Sequence, residues 1–452
     1  MDTTPIVIDR AAVVTLDRTR REFTGHLVVE GNRIVAVGAG PAPVYDGARV
    51  IDGRGCLLTP GFVNTHQHLY QWATRGLAAD STLFGWLTTL YPVWTGIDDV
   101  AVHLAAQAAL AQLARTGCTT AADHHYLFPR DGKDLLEAEI IAAAQLGMRF
   151  HPARGSMDLS QKDGGLPPDS VVEDRDEILT ATEHAINRWH DPSPDSMLRI
   201  VVGPCSPFSV TGDLMRDAAV LARRKGVRLH THLAETTDES DYCRDHFGST
   251  PLEYVADLGW TGSDVWFAHG IHFSDAEISR LGASGTGVAH CPSSNARLGA
   301  GIARAADLRA AGSPVGLGVD GAASNEAGSL VEELRHALLF ARARGGPEAL
   351  DVRAALEMAT LDGARILGRE DDIGSLEVGK LADLALWRLD TLQHADITDP
   401  VAALVLGTPP PLELLLINGR PVVEHDTVLT VDEVALAAQV VKVHQQLVTR
   451  AS

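Results

Sequence analysis

Two histidines separated by one residue are the first feature of the sequence that points to metal chemistry. His66 and His68 end the run GFVNTHQH, and alternate residues of a strand face the same side, so both imidazoles can reach one ion. Taken alone, such a pair could equally be two hydrogen-bonded core residues. His232 and Asp320 end two later apolar runs. Three neutral imidazoles and a carboxylate suit Zn²⁺ or Fe²⁺ with one position left for water, so the sequence predicts a metal bound by these four side chains.

Ionisable residues beside the predicted ligands supply the acid–base groups that a hydrolase needs. A bound metal lowers the pKa of its water towards about 7, but a leaving nitrogen still requires a proton carrier. We expect Glu235, three residues past His232, to carry that proton. Asp320 would take the proton of the water, and His269, which ends another apolar run, would hydrogen-bond the attacking oxygen. The set predicts hydrolytic release of ammonia.

The elements that must position these residues are short apolar runs that alternate with longer, Ala- and Leu-rich stretches. Eight runs end in polar or ionisable residues: GFVNTHQH, TTAADHH, MRFHPAR, LRIVVGPCS, VRLHTHLAE, DVWFAHG, TGVAHCPSSN and SPVGLGVDGAAS. Eight such units are the count of a (β/α)8 TIM-like barrel, an α/β fold whose active site lies at the C-terminal ends of the strands. We place this barrel at residues 56–370. The Pro- and Gly-rich stretch 162–169 is expected to be a long loop and a candidate lid.

Both ends of the chain have a β-rich texture that differs from the middle. Residues 5–16 and 26–37 are rich in Val and Ile, and LADLALWRL, near the C-terminus, alternates as a half-buried strand does. The stretch LELLLINGRPVVEHDTVL holds two apolar runs around an Asn-Gly pair, which is a hairpin signal. We therefore predict a small composite β-domain, with a C-terminal helix, formed by residues 1–55 and 371–452.

Several stretches together resemble a known family. PGFVNTHQH, HTHLAE, FAHGIHF and GLGVDGAAS, with VGKLADLALW near the C-terminus, are similar to the amidohydrolase superfamily in its mononuclear aminohydrolase branch, and the resemblance covers the whole chain. It implies roles for six residues: metal binding by His66, His68, His232 and Asp320, and catalysis by Glu235 and His269. Members with two metals usually carry a carboxylated lysine at the end of strand 4. The fourth run, RIVVGPCSPFS, has no lysine, which implies one metal ion, zinc or alternatively iron.

Further stretches narrow the resemblance. AADHHYLFP, RGSMDLSQKDGGLPPD, GPCSPFSVT, AHGIHF and HCPSSNARL are more similar to the 8-oxoguanine deaminases than to guanine deaminases or triazine hydrolases. This resemblance implies a purine-like substrate and the conversion of 8-oxoguanine to urate and ammonia. One position departs from the pattern, because Gln67 stands between the metal histidines where that subfamily is expected to have histidine. The triazine hydrolases also have HQH there.

Three alternatives were weighed against this function. A triazine or pterin amino- or chlorohydrolase, acting on rings such as isoxanthopterin or hydroxyatrazine, would use the same metal residues. A non-catalytic barrel scaffold would have lost one or more of the six metal-site and catalytic residues, and all are present. A zinc enzyme of the cytidine-deaminase type would carry an H-x-E…P-C-x-x-C signature, which this sequence lacks.

Five residues near the strand ends are candidates for binding the ring: Gln71, His125, Arg154, Cys205 and Asn295. The amide of Gln71 offers both the donor and the acceptor that a purine edge requires, and a glutamine is similarly placed in guanine deaminase. Arg154 would contact a substrate oxygen or pair with an acidic neighbour. Cys205 would contact the ring or fill core. His125 would stack or pack, and Asn295 would orient the substrate or cap a helix.

The composition limits the partners and the compartment. Acidic residues outnumber basic ones, 59 against 38, for a net charge of −21, which argues against nucleic-acid or anionic-membrane binding. A small heterocyclic substrate is the expected partner, and a homo-oligomer is left open. No leader pattern and no apolar run of ~20 residues is found, so we expect a cytoplasmic protein. A reducing compartment also suits five widely spaced cysteines without a CxxC pair: Cys56, Cys118, Cys205, Cys243 and Cys291.

Overall fold

Both ends of the chain contribute strands to one mixed sheet. The computed structural model describes residues 4–129 and 134–451. The strands of this sheet are β1 (Ile6–Val14), β2 (Glu22–Glu30), β3 (Arg33–Ala39), β4 (Arg49–Asp52), β5 (Cys56–Pro60), β14 (Leu384–Arg388), β15 (Leu412–Ile417), β16 (Arg420–Glu424) and β17 (Thr427–Val428). They run in the order β17-β16-β15-β14-β5-β1-β2-β3, with β4 paired to β1. The predicted composite β-domain is confirmed.

The N-terminal and C-terminal parts of this sheet meet where β5 pairs antiparallel with β14, with Leu58 opposite Leu386. All of β5 is buried, because both faces are covered: Leu58 packs in the core of the composite sheet and Leu57 packs in the core of the barrel. The pairing continues through Pro60, past the boundary that we predicted at residue 55. The division of the chain into residues 1–55, 56–370 and 371–452 stays a prediction.

The middle of the chain forms a closed parallel barrel in the order β10-β11-β12-β13-β6-β7-β8-β9. Its strands are β6 (Phe62–Asn64), β7 (Cys118–His125), β8 (Arg149–Ser156), β9 (Val201–Pro204), β10 (Leu229–Leu233), β11 (Val265–His269), β12 (Gly287–His290) and β13 (Val315–Leu317). Closure is made by β13 and β6, where Leu317 pairs with Asn64. The eight runs predicted from the sequence are these eight strands, so the TIM-like barrel is confirmed.

Helices separate the strands and cover the barrel. Their ends follow local signals: the side chain of Thr211 caps one helix, which ends at the left-handed Gly226, and Ser274 and Glu277 form a capping box at another. The helices are α1 (Leu83–Trp94), α2 (Asp99–Arg115), α3 (Leu135–Leu146), α4 (Arg175–Trp189), α5 (Gly212–Lys225), α6 (Thr237–Phe247), α7 (Pro251–Asp257), α8 (Asp275–Ser284), α9 (Pro292–Arg297), α10 (Ala305–Ala311), α11 (Leu330–Gly345), α12 (Val352–Met358), α13 (Leu361–Leu367), α14 (Pro400–Leu406) and α15 (Glu433–Ala451). No helix in the described ranges is long and apolar enough to cross a bilayer.

A buried ion pair joins the barrel to the composite sheet. The guanidinium of Arg149, on β8, donates two hydrogen bonds to the carboxylate of Asp383, at 2.8 and 2.9 Å. Asp383 directly precedes β14 and also accepts from the backbone N–H of Asn418 at 2.7 Å. Both side chains of the pair are buried. The C-terminal helix α15 forms a second connection, since it returns to pack against α2 and α1.

Candidate active site and metal centre

Four buried side chains converge at the C-terminal end of the barrel. His66 and His68 follow β6, His232 lies on β10, and Asp320 follows β13. Asp320 Oδ1 lies 3.3 Å from His66 Nε2 and 3.4 Å from His68 Nε2. His68 Nε2 lies 3.1 Å from His232 Nε2. Ligand atoms about 2.0 Å from a tetrahedral ion would be roughly 3.3 Å apart, so these separations fit one metal ion.

The outer nitrogens of the three rings have fixed partners that set the tautomer. The Nδ1 atoms lie against His230 Nε2 at 2.8 Å, the His124 carbonyl at 2.7 Å and the Cys205 carbonyl at 2.7 Å, for His66, His68 and His232 respectively. Carbonyls only accept, so the Nδ1 atoms of His68 and His232 carry the proton. The same holds for His66, because His230 donates its own Nδ1 proton to the Trp266 carbonyl. All three Nε2 atoms are left as lone-pair donors to a metal.

The protonation of the site agrees with a metal centre. Burial lowers the pKa of His68 to about 3 and holds the pKa of His232 well below its usual value, so both rings are neutral. Two unprotonated nitrogens 3.1 Å apart repel each other unless a cation lies between them. His66 Nε2 is likewise buried and has no hydrogen-bond partner among the described residues. The donor set therefore fits Zn²⁺ or a similar divalent ion.

Asp320 completes the set as a carboxylate. Burial alone would raise its pKa, but the His66 ring, 3.3 Å away, and the nearby charge of His269 hold the pKa well below the usual range. Its second oxygen, Oδ2, accepts from Ser294 Oγ at 2.6 Å and Ser324 Oγ at 3.1 Å. The two hydroxyls fix the plane of the carboxylate and leave Oδ1 facing the histidines.

A second acid–base pair stands beside the predicted ligands. Glu235 Oε2 lies 3.5 Å from His269 Nε2. Burial raises the pKa of Glu235 to about 7, so its carboxyl can hold or release a proton near neutral pH. Burial lowers the pKa of His269, but the charges of Glu235 and Asp320 outweigh it, and the net pKa is raised. His269 Nδ1 donates to Asn295 Oδ1 at 2.9 Å, which fixes the ring.

Three residues of the site have backbones in the left-handed region that non-glycine residues rarely adopt. The φ angles are +54° at Ala234, +71° at His269 and +60° at Asp320, and such conformations cost about 1–3 kcal/mol each. Hydrogen bonds hold two of them: the Glu239 carboxylate accepts from Ala234 N at 2.9 Å, and Asp320 N donates to the His66 carbonyl at 3.1 Å. The surrounding structure thus holds the backbone of these residues in the conformation that directs them towards the site.

A cavity opens beside the four converging side chains. Its polar lining is made by these residues: His68, His232, Glu235, His269, Asp320, Gln71, Cys205, Ser206 and Ser324. Helix α1 provides an apolar wall: Leu83, Trp86, Leu87 and Tyr91. Two of the five candidate ring contacts, Gln71 and Cys205, therefore lie in the cavity. The stretch 162–169, which we expected as a lid, does not contribute to this lining, and α1 covers the cavity instead.

Gln71 fits its place because the facing residue is glycine. A Cβ on Gly321 would lie 1.8 Å from Gln71 Oε1, so any larger residue there would displace the amide. Gln71 Oε1 is buried and has no hydrogen-bond partner among the described residues. A buried acceptor without a partner is costly. It is therefore available to a donor on a bound ligand.

The other three candidate ring contacts have different partners. Arg154 forms a two-pronged ion pair with Glu173, at 2.6 and 2.8 Å, and its guanidinium lies 3.7 Å from the centroid of the Phe128 ring. Arg154 lines a separate cavity. In this structure it therefore pairs with an acidic neighbour, which is one of its two expected roles. His125 lies behind the site, against Glu139. Asn295 neither lines the cavity nor caps a helix, since it lies inside α9 and orients His269.

Sequence reasoning missed the two serines that hold Asp320. Ser294 was visible only as part of CPSSN, beside the residue that we singled out, and Ser324 as part of VDGAAS. Nothing in the spacing indicates that the loops after β12 and β13 bring both hydroxyls to one carboxylate oxygen. Tyr91 and Ser206 of the cavity wall were also missed, because nothing in their local sequence marks them.

Comparison with known proteins agrees with this fold and site. The sequence profile of the amidohydrolase family matches residues 57–422. The chain is 47% identical to an 8-oxoguanine deaminase of Pseudomonas aeruginosa, over 92% of this chain and 94% of that protein. It is 36% identical to an isoxanthopterin deaminase from an unknown prokaryotic organism, over 99% and 98%. The crystal structure of the atrazine chlorohydrolase TrzN from Arthrobacter aurescens TC1, complexed with zinc, superposes with a TM-score of 0.93 at 34% identity, over 97% and 100%.

A parallel barrel with histidines and an aspartate converging at its C-terminal end defines the class of metal-dependent barrel hydrolases. The chain belongs to the amidohydrolase family. Within it, the protein is a hydrolytic aminohydrolase. The resemblance identified from the sequence motifs is thereby confirmed.

Proposed function

We propose that the protein is a zinc-dependent deaminase that converts 8-oxoguanine and water to urate and ammonia. The observation that carries this proposal is the position of Glu235, whose carboxyl lies 3.5 Å from His269 in the same cavity as the converging histidines. That arrangement supplies a proton carrier next to a metal site. The 47% identity to an 8-oxoguanine deaminase supports the choice of ring.

His66, His68, His232 and Asp320 would hold a single zinc ion, and the zinc in a structure of 34% identity supports that choice. A bound zinc ion would lower the pKa of water and so supply the nucleophile at neutral pH. A single ion is also favoured by the packing at strand 4. Gly203, on β9, has no room for a side chain, because a Cβ there would lie 2.9 Å from His124 Nε2.

The residues around this ion divide the proton transfers between them. Asp320 Oδ1 faces the histidines and receives the proton that water loses, while the two serine hydroxyls keep Oδ2 in place. Glu235 delivers a proton to the ring nitrogen beside the carbon under attack. His269 donates a hydrogen bond to the oxygen that is added at that carbon, which stabilises the developing charge. The exocyclic amino group then takes the proton held by Asp320 and leaves as ammonia, and the hydroxyl of the added oxygen returns a proton to Glu235 as the carbonyl forms.

The cavity suits a flat, uncharged ring. Apolar side chains of α1 form one wall, and Gln71 Oε1 supplies an acceptor without a partner for an N–H of the ring edge. No lysine or arginine is among the described residues that line the cavity, while Glu235 and Asp320 are. A phosphate group would find no counter-charge there. The lining therefore favours a free base over a nucleotide.

The test is ammonia release by metal-quantified protein from a panel of 8-oxoguanine, guanine, isoxanthopterin and hydroxyatrazine. We expect the highest kcat/KM with 8-oxoguanine, and one urate formed for each ammonia. The Glu235→Gln protein with the same metal content serves as the control for contaminating activity. No ammonia from either purine would overturn the choice of ring, and amine release from hydroxyatrazine alone would indicate the alternative substrate class.

A further inference from the structure

Behind the metal centre lies a second cluster of ionisable residues that the proposed reaction does not use. Asp123 and His125 are on β7 and Glu139 is on α3, and each is at most 1% exposed. Successive residues of a strand face opposite sides. The ring of His124 packs against His232 inside the barrel, so its two neighbours face outward, towards the helices. We call Asp123, His125 and Glu139 the buried relay.

The hydrogen bonds of the buried relay require shared protons. His125 Nε2 lies 2.8 Å from the Leu127 carbonyl, which only accepts, so Nε2 carries a proton. His125 Nδ1 lies 2.8 Å from Glu139 Oε1. One carboxyl oxygen of Glu139 and one of Asp123 lie within 4.8 Å of each other, so the two buried groups can pair. Two carboxyl groups can pair only through a proton, so one proton would lie between them and another lies between Glu139 and His125.

The remaining atoms of the cluster agree with this count. No donor group of another described residue reaches Asp123 Oδ2 or Glu139 Oε2, and both atoms are buried, so the shared proton is what satisfies them. Burial raises the pKa of Glu139 to about 8 and lowers the pKa of His125 to about 4. Both carboxyls are then protonated, the imidazole is neutral, and the buried relay carries no net charge.

One end of the buried relay reaches the backbone next to a predicted metal ligand. Asp123 Oδ1 accepts from the N–H of Leu69 at 2.7 Å. Leu69 begins a 3-10 turn, Leu69–Thr74, whose first residues receive no cap from the side chain of His68. Asp123 therefore caps this turn from a neighbouring strand. Since the His124 carbonyl accepts from His68 Nδ1 at 2.7 Å, β7 holds both the ring and the backbone of this histidine.

We propose that the buried relay is a positioning device that fixes His68, so that its Nε2 stays directed at the metal site. The proposal depends on the proposed role of His68 as a metal ligand, although not on the identity of the substrate. Hydrogen-bond partners of a metal-binding histidine orient its ring without touching the metal. The buried relay would act on His68 in the same way. The rival use of the same three side chains is a second metal ion, and the experiment separates the two.

The test compares Glu139→Gln with Glu139→Leu. Glutamine has the shape of a protonated glutamate, and its amide can donate to His125 Nδ1 while its oxygen accepts from Asp123. Leucine fills the space and breaks both links. We expect Glu139→Gln to leave the zinc affinity and the visible spectrum of the cobalt-substituted protein unchanged. Glu139→Leu should weaken zinc binding by about 10–100-fold, the usual effect of losing an outer partner, and shift the cobalt bands.

Each other outcome contradicts the proposal. A Glu139→Gln protein as impaired as the leucine variant would rule out the shared proton. Two metal equivalents in the wild type, with one lost in Glu139→Gln, would make the cluster a second metal site. A folded Glu139→Leu protein with unchanged cobalt bands would remove the positioning role. If that variant does not fold, His125→Phe breaks the same link and is assessed by the same spectrum. Since neither readout uses a substrate, a wrong choice of ring would leave this test intact.

Discussion

The two ends of the barrel bury ionisable groups in opposite ways. At the C-terminal end, His66 Nε2 and Gln71 Oε1 are buried without partners, and the backbone of Asp320 is left-handed. At the other end, Arg149 lies fully buried in a two-pronged pair with Asp383. There the charges are paired within the protein, whereas at the site the unpartnered atoms are available to a metal ion or a ligand. In this barrel, the unpartnered atoms at the C-terminal end lie at the candidate site, and the matched ion pair at the other end lies at the connection between domains.

The first test of this contrast removes the proposed proton carrier, Glu235, at the C-terminal end of the barrel. Glu235→Gln keeps the shape of the side chain but cannot deliver a proton, so kcat should fall on the order of 10⁴-fold, at the upper end of the range for acid–base groups. Metal content and the thermal midpoint should stay as in the wild type. The exposed Asp238→Asn, on the same segment, is the matched control and should be silent. A loss of less than tenfold in kcat would assign the proton transfer to another group.

The second test breaks the buried ion pair at the other end of the barrel. Asp383→Asn leaves the buried guanidinium of Arg149 without its counter-charge, which should lower the free energy of unfolding by about 3–5 kcal/mol. Urea denaturation measures that loss, and kcat should be unchanged wherever the protein remains folded. Asp213→Asn, which removes the exposed partner of Arg216, should have little effect. If kcat fell in proportion to stability within the folded range, the two ends would not be independent.

The third test closes the space around an unpartnered acceptor. Gly321 has no positive φ, so alanine is allowed there, but its Cβ would push Gln71 away. We expect KM to rise about tenfold, the effect of losing one hydrogen bond of ~1.4 kcal/mol, with little change in kcat. Gln71→Ala should give a similar rise. The double variant should be no worse than either single one, and additive effects would show that the two residues act separately.

The fourth test is a pH profile. Burial raises the pKa of Glu235 to about 7, and only the protonated carboxyl can donate. The active fraction therefore falls as pH rises through about 7, and kcat should drop about tenfold per unit above it. The residual activity of Glu235→Gln should lack this limb. An unchanged limb in that variant would place the titrating group elsewhere.

The sequence predicted the barrel well because each strand is an apolar run that ends in chemistry-bearing residues. His66 and His68 follow one such run, and Asp320 ends another, so the rule that barrel sites lie at strand ends was enough to group them. The structure brings them together as expected. The composite sheet was also predictable, since both of its parts have the alternation and turn residues of strands.

The rest depends on contacts that are distant in sequence. For Arg154, substrate contact and pairing with an acidic neighbour were both open, because its partner, Glu173, belongs to a later loop that no local pattern connects to it. His125 was expected to stack on the ring or to pack, yet its Nδ1 is hydrogen-bonded to Glu139, fourteen positions away on a helix. The left-handed backbone of His269 is likewise imposed by the surrounding structure, because no propensity favours it.

The pairing of β5 with β14 has a consequence for how the molecule is made. The five N-terminal strands leave the ribosome first, and the edge of β5 then stays open while the whole barrel is translated, which takes tens of seconds at roughly 5–20 residues per second. An open, apolar strand edge in that interval is a template for pairing with another nascent chain. Only when residues 384–388 emerge does the edge acquire its own partner. All eight barrel strands thus emerge before the chain supplies the strand that covers this sheet edge.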